Sequence, residues 1–367
     1  MGSVSRRTVR VVLIGPIYSA ALVLLALFPI RRPWALGMAT AAITIFPLEL
    51  PFHFVLVVAL SNWTTIANLD PATPAGVVRM LLSSIIVIGM GVVVRQSSRA
   101  GVVLETALGD GLGADWRNGI AAPPFRHGRR RPWVRMLLAP WPLRPHNVER
   151  TKNIAYGPDR RYNRLDLYRQ RSAHAPQGVL IHLHPGGFRW GSKSRQSRSL
   201  LFHMARHGWA TISADYHLTK RPVDGFPDHL VDVKRVIAWT RTEGNVHGIA
   251  AGAPVVLVGG SAGAHLATMA ALTVNDAAFQ PGFADLDTSV TAAVGLYGYY
   301  GELGGSHPVM TSPIASVRNE HIVSAVHGFA EWARQTSKPT PRSIRPEPLR
   351  SSLRTRSWPW LVLLRSR

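Results

Sequence analysis

The chain has 367 residues, enough for one full α/β domain and a smaller segment beside it. Charged residues make up 17%, against about 25% in ordinary soluble domains, while 46% are hydrophobic, which points to a membrane-embedded portion. There is no cysteine, so thiol catalysis, disulfides and cysteine-held metals are excluded.

The net charge of +22 is concentrated in two places, Arg126 to Arg150 and the tail beyond Arg334. No zinc-finger spacing, RNP-type motif or basic heptad helix accompanies it, so no nucleic-acid partner is expected. A basic stretch beside apolar segments reads as contact with lipid headgroups.

Val11 to Ile30 is an uncharged run of 20 residues between Arg10 and Arg31, the length that crosses a hydrocarbon core of about 30 Å. A second apolar stretch runs from Trp34 to about Leu60, interrupted by Pro47, Glu49 and Pro51, and is expected to be kinked or broken. A third covers Gly76 to Val94. Residues 1–95 therefore read as a multi-pass membrane anchor of about three helices, with the lipid bilayer as partner; flanking arginines divide evenly between the two sides and fix no topology. Residues 96–150 read as a basic juxtamembrane linker in which Ala100 to Leu112 forms a short amphipathic helix.

From residue 151 the pattern changes. Asn163 to Tyr168 alternates and predicts an antiparallel edge strand; Gly178 to Leu183, Trp209 to Ala214 and Pro254 to Val258 predict strands buried on both faces. Ser197 to His207 and Asp228 to Thr242 predict helices between them, and Val290 to Leu296 a sixth strand. Alternation of this kind implies a parallel sheet.

The chemistry-bearing residues stand at two strand ends. The strand ending at Val258 runs into Gly259-Gly260-Ser261-Ala262-Gly263 and then an alanine-rich helix, which is G-x-S-x-G in a strand–turn–helix context. Glycines flank the serine because the turn is strained, and its hydroxyl is left exposed at a helix N-terminus. His184-Pro185-Gly186-Gly187-Phe188 directly follows the strand Gly178 to Leu183. Backbone N–H groups of Gly186 and Gly187, with that of Ala262, are placed to hold an oxyanion.

On HLHPGGFRWGSK, FPDHLVDVKRVIAW, GGSAGAHLATMAALT and FQPGF, the chain resembles the α/β-hydrolase fold. Within that fold it resembles the esterase/lipase group related to hormone-sensitive lipase, and membrane-anchored actinobacterial esterases in particular. The resemblance covers about Ala155 to Val317. It implies a serine hydrolase acting on acyl esters, with Ser261 as nucleophile and no cofactor or metal; the apolar anchor adds the expectation of a lipophilic ester substrate. Pro185 replaces the first glycine of the family's His-Gly-Gly-Gly loop; proline lacks an N–H, but the donors are the later glycines. By the same resemblance Asp215-Tyr216 brace the oxyanion loop and Asp228 caps the following helix. His265 is read as a packed or groove-facing residue.

The family's triad runs Ser, acid, His, yet no aspartate follows Asp287, and the later histidines are His307, His321 and His327. Arg318 to Gln335 resembles the terminal helix of relatives, so the sheet is expected to be truncated after about strand 6. His327 and Glu320 are the available substitutes for base and acid. The hydrolase domain is thus read as 151–335, incomplete, followed by an Arg/Pro/Ser-rich tail at 336–367. The alternative is a degenerate family member that binds acyl esters and turns them over weakly or not at all. A bare sixth strand is expected to be an exposed apolar edge.

Overall fold

The computed structural model describes residues 6–30, 33–63, 70–113, 115, 137, 142–171, 175–219, 226–298 and 361–365. The chain divides into two compact units, Met1–Trp141 and Pro142–Arg367.

The first unit is helical: α1 (Arg6–Leu27), α2 (Trp34–Glu49), α3 (Pro51–Ser61) and α4 (Pro74–Leu112). Proline pushes its preceding residue out of the helical region, and Leu50 at φ −129°, ψ 57° separates α2 from α3. The axes bend by 90° at this break. Thr73 opens α4 by accepting the Gly76 N–H at 3.1 Å. The helix then runs 39 residues to Gly113. The separate helix expected at Ala100 to Leu112 is instead the continuation of the third apolar stretch. Arg95-Gln96-Ser97-Ser98-Arg99 is polar but contains neither proline nor glycine, so nothing stops the backbone ladder there.

Helices α1 and α4 meet at Gly89, where a methyl would lie 2.3 Å from Val23 Cγ1. Around that contact Ala20, Leu22, Val23, Phe54, Ile86, Met90 and Val93 are buried together. Ile14, Ile17, Leu24, Phe28, Val87 and Ile88 point outward and are exposed. Pro74–Asp110 is long and apolar enough to cross a membrane, and the bent α2–α3 pair qualifies when taken together.

The second unit carries a sheet of β1 (Val148–Ala155), β2 (Arg164–Gln170), β3 (Val179–Leu183), β4 (Ala210–Ala214), β5 (Val255–Gly260), β6 (Ala292–Leu296) and β7 (Leu361–Arg365). Their order is β1-β2-β4-β3-β5-β6-β7. Strands β4, β3, β5 and β6 run parallel, and β2 is antiparallel to both of its neighbours. Strand β2 is antiparallel as expected but is not the edge, because β1 covers it. The sequence Val148 to Ala155 is too polar to alternate visibly, as suits an outer strand. Strand β6 is not bare either: Leu361–Arg365 pairs with it antiparallel, Leu361 opposite Leu296.

Among the described residues three helices pack on this sheet: α5 (Arg198–Arg206), α6 (Asp228–Thr242) and α7 (Ala262–Leu272). Alternation along β3 divides the core. Val179, Ile181 and Leu183 join Leu230, Val233, Ile237 and Leu266 on one face. Leu180 joins Leu201, Phe202 and Val258 on the other.

Lys234 lies in α6 with no exposed surface. Its ammonium donates to the Thr273 carbonyl and, at 3.4 Å each, to Gln280 Oε1 and Thr288 Oγ1, tying α6 to the end of α7 and the loop before β6. Burial penalises the charged form and lowers the pKa from 10.5 to about 8. Between those values the unfolded chain binds more protons than the folded one, so this group's contribution to stability improves as pH rises. Thermal unfolding of the detergent-solubilised protein is expected to show wild type gaining on Lys234→Met between about pH 7.5 and about pH 9.5. A gap independent of pH would contradict this.

Candidate active site

Strands β3 and β5 are parallel neighbours with Leu183 opposite Gly259. The residues that follow them, His184 to Gly187 and Gly260 to Ala262, therefore emerge side by side at one sheet edge. Two backbone contacts tighten this arrangement. A methyl at Gly263 would lie 2.2 Å from the Leu183 carbonyl oxygen and 2.8 Å from that of His184; one at Gly259 would lie 2.1 Å from the Gly263 oxygen. Only glycine lets the first turn of α7 pack directly on the end of β3.

Ser261 adopts φ 50°, ψ −116°, a conformation that non-glycine residues rarely take. Its N–H donates to the Leu296 carbonyl at 2.9 Å, and its own carbonyl accepts the His265 N–H at 3.1 Å. The strained residue is thus pinned between β6 and the start of α7, and it stays partly exposed. Tyr297, just past β6 at φ 43°, stands on the other side of the turn; a methyl at Gly260 would fall 2.4 Å from its Oη. Tyr297 was missed at the level of sequence, although the position directly after a strand beside the serine strand was a signal.

The loop after β3 is equally constrained. Gly186, Gly187 and Phe188 have φ of 142°, 57° and 62°. The Gly186 carbonyl accepts the N–H groups of Arg189 and Trp190 at 3.1 and 3.2 Å. A methyl at Gly186 would strike the Trp190 oxygen at 1.8 Å, and one at Gly191 the His184 ring at 2.3 Å. Among the described residues the N–H groups of Gly186, Gly187 and Ala262 donate to no partner. That of Ala262 is one of the orphan donors of a helix start.

A buried network holds this loop from behind. Tyr216 Oη donates to the His184 carbonyl at 2.7 Å, and the two rings stack at 4.3 Å. The Asp215 carboxylate accepts the Lys193 N–H at 2.7 Å and its ammonium at 3.1 Å. Tyr156 Oη donates to the Asp215 carbonyl at 2.5 Å. Asp215 and Tyr216 therefore hold the loop as the resemblance implied. Burial raises the pKa of both Tyr156 and Tyr216, keeping their hydroxyls protonated donors.

Asp228 does not cap α6. Pro227 occupies the cap position and makes no side-chain bond, while Asp228 is the first helical residue, where its charge complements the helix dipole. The bond to the preceding loop comes from Asp232, whose carboxylate accepts the His217 N–H at 2.9 Å.

His265 is half-buried with its ring edge-on to Phe188 at 6.0 Å, a packed position next to the loop after β3. His229, which the sequence reading did not single out, stacks on the same phenyl ring at 4.9 Å. Burial first, then His265 and His217, lower its pKa to about 3. His182 is lowered to about 4 by burial and its neighbour His184. Both are neutral at pH 7. His327 and Glu320, with His307, His321 and the helix read at Arg318 to Gln335, lie outside the described residues. Among the described residues no group of three or more metal-ligating side chains exists.

Comparison with known proteins agrees with this frame. The BD-FAE family model matches residues 165–303. The probable carboxylic ester hydrolase LipM of Mycobacterium tuberculosis is 35% identical over 237 residues, covering 62% of this chain and 52% of that protein. Esterase LipQ of the same organism is 38% identical over 213 residues, covering 56% and 49%. The chain thus spans about half the length of the curated relatives it matches. Among solved structures, esterase B from Lactobacillus rhamnosis aligns at 21% identity with a TM-score of 0.42, over 52% of this chain and 60% of that one. Thermogutta terrifontis esterase 2 aligns at 22% identity and a TM-score of 0.38, over 50% and 66%. At such scores it is strand order, register and the serine turn, not superposition, that identify the fold. Residues 165–303 match the BD-FAE family model within a sheet of α/β-hydrolase type, and over this part the chain is similar to esterases and carboxylic ester hydrolases.

Proposed function

We propose that the protein is a membrane-anchored serine carboxylic-ester hydrolase acting on lipophilic acyl esters. The observation that carries this reading is the contact at Gly263, which presses the strained Ser261 turn against the backbone that leads into Gly186 and Gly187. Ser261 Oγ attacks the acyl carbonyl, the C–O bond to the alcohol breaks, and an acyl-serine forms that water then hydrolyses. The N–H groups of Gly186, Gly187 and Ala262 hold the negative oxygen in both steps. His327 is the base that takes the hydroxyl proton and returns it to the leaving alcohol, with Glu320 orienting it. The named activities of the curated relatives support the ester class. The length and apolar composition of α4 support anchoring at a membrane.

A second reading is a degenerate relative that binds esters with little turnover. It is favoured by the absence of any aspartate after Asp287 in this sequence. Without a base, oxyanion stabilisation alone still exceeds the water rate by roughly 10³–10⁴-fold.

Hydrolysis of p-nitrophenyl butyrate by the full chain in detergent separates these readings. A rate well above that oxyanion-only level, removed by Ser261→Ala, is expected. A rate at or below it supports the degenerate reading, and turnover unaffected by Ser261→Ala contradicts both.

Tyr216→Phe removes the hydroxyl that fixes the His184 carbonyl while leaving the ring stack in place. It is expected to lower kcat about tenfold, the equivalent of one hydrogen bond in the transition state, with KM little changed. An unchanged kcat would show that the loop is held without it.

A further inference from the structure

One end of the sheet in the second unit carries a cluster of exposed cations around an exposed indole. From residue 167 to residue 214 the sequence contains no aspartate or glutamate. Within that span the loop after β3 and the first turn of α5 present Arg189, Trp190, Arg195 and Arg198, all exposed. None of these arginines makes an ion pair among the described residues; Lys193, between them, is occupied by Asp215. The hairpin between β1 and β2 adds exposed Arg160 and Arg161 at the same edge, against half-buried Asp159 and exposed Asp228. The opposite edge, formed by the ends of β2 and the loops that lead into β4, β5 and β6, is mixed: Glu243, Asp285 and Asp287 are exposed there with Arg144, Arg171 and Arg206, and Asp287 pairs with Arg241 at 3.6 Å.

Trp190 is 70% exposed, and it is not a loose side chain that happens to lie outside. Its N–H is bonded to Gly186, its carbonyl oxygen sits where a Gly186 side chain would go, and Gly191 packs on the His184 ring. The turn that shapes the oxyanion loop therefore also holds an indole out into solvent, with arginines on either side. An amphipathic indole among cations suits the headgroup layer of a bilayer, where the ring enters the interface and the guanidiniums meet phosphate.

We infer that Arg189, Trp190, Arg195 and Arg198 form a contact surface for anionic phospholipid headgroups, seating the Ser261 edge of the sheet on the bilayer while the opposite edge faces away. An ester partitioned into that bilayer then reaches the serine turn without crossing bulk water. The inference rests on the anchored reading of the first unit and not on whether Ser261 reacts.

The absence of cysteine allows a direct test on the full chain. Gln196→Cys, an exposed position beside the patch, and Val246→Cys, an exposed position at the opposite edge, each accept one environment-sensitive fluorophore. The labelled proteins are placed in nanodiscs of phosphatidylcholine alone, or of phosphatidylcholine and phosphatidylglycerol at about three to one. A nitroxide lipid that quenches at headgroup depth reports contact. The residue-196 probe is expected to be quenched at least severalfold more in the anionic discs than in the neutral ones, and the residue-246 probe to be quenched in neither. Combining Arg189→Glu, Arg195→Glu and Arg198→Glu is expected to bring the residue-196 signal down to the residue-246 level. Equal quenching at the two positions, or residue-196 quenching that ignores both lipid charge and the arginine substitutions, would overturn the inference. Resistance of the protein to alkaline carbonate extraction is read in parallel, so a failure of anchoring is told apart from a failure of the surface.

Discussion

Everything at the serine edge depends on one steric constraint, the approach of the first turn of α7 to the carbonyl end of β3. With Gly263 there, the Leu183 carbonyl comes close enough that no other residue fits. That contact sets where the helix starts, and so where Ser261 must turn. Parallel pairing of β3 with β5 brings the two loops to the same edge, but pairing alone leaves a helix diameter of freedom between them. The glycine removes it. The cost is the left-handed backbone of Ser261, and it is met by the hydrogen bond to Leu296 on the next strand. Strain of this kind persists only where the surroundings over-determine it.

The same logic governs the loop after β3. Three successive positive-φ residues, Gly186 to Phe188, do not hold themselves in place. They are gripped by Tyr216 at the His184 carbonyl, by Asp215 at Lys193, and by the Thr219 N–H at the Phe188 carbonyl. Since each of these groups is on the segment after β4, the strand next to β3 carries the brace for the loop of β3. A buried, hydrogen-bonded network rigidifies what it touches, and unengaged N–H donors are useful to catalysis only when they cannot turn away.

The sheet centre and the two turns that follow β3 and β5 were legible in the sequence for physical reasons. Strands β3 and β5 are short apolar runs ending in glycine-rich turns, and such runs have few other places to go. What escaped notice lacks that contrast. Strand β1 is polar along much of its length because it is an edge, so its periodicity is weak. The joining of Gly76 to Val94 with Ala100 to Leu112 into one helix was hidden by a polar interval that carries no helix breaker. The pairing of Leu361–Arg365 with β6 is a contact over more than sixty positions of sequence, which no local pattern encodes. Tyr297 and His229 act through neighbours distant in sequence, Gly260 and Phe188. Base and acid were read at His327 and Glu320, beyond the residues the structure describes.

A hydroxyl held at a helix start, beside amides that cannot rotate away, should react with an electrophile that mimics the tetrahedral state. Incubating the folded, detergent-solubilised protein with a fluorophosphonate and mapping the adduct by mass spectrometry measures this directly. The account predicts one phosphonyl group, on Ser261, lost when the protein is first denatured. Folded protein that takes up no label, or takes it up elsewhere, would contradict it.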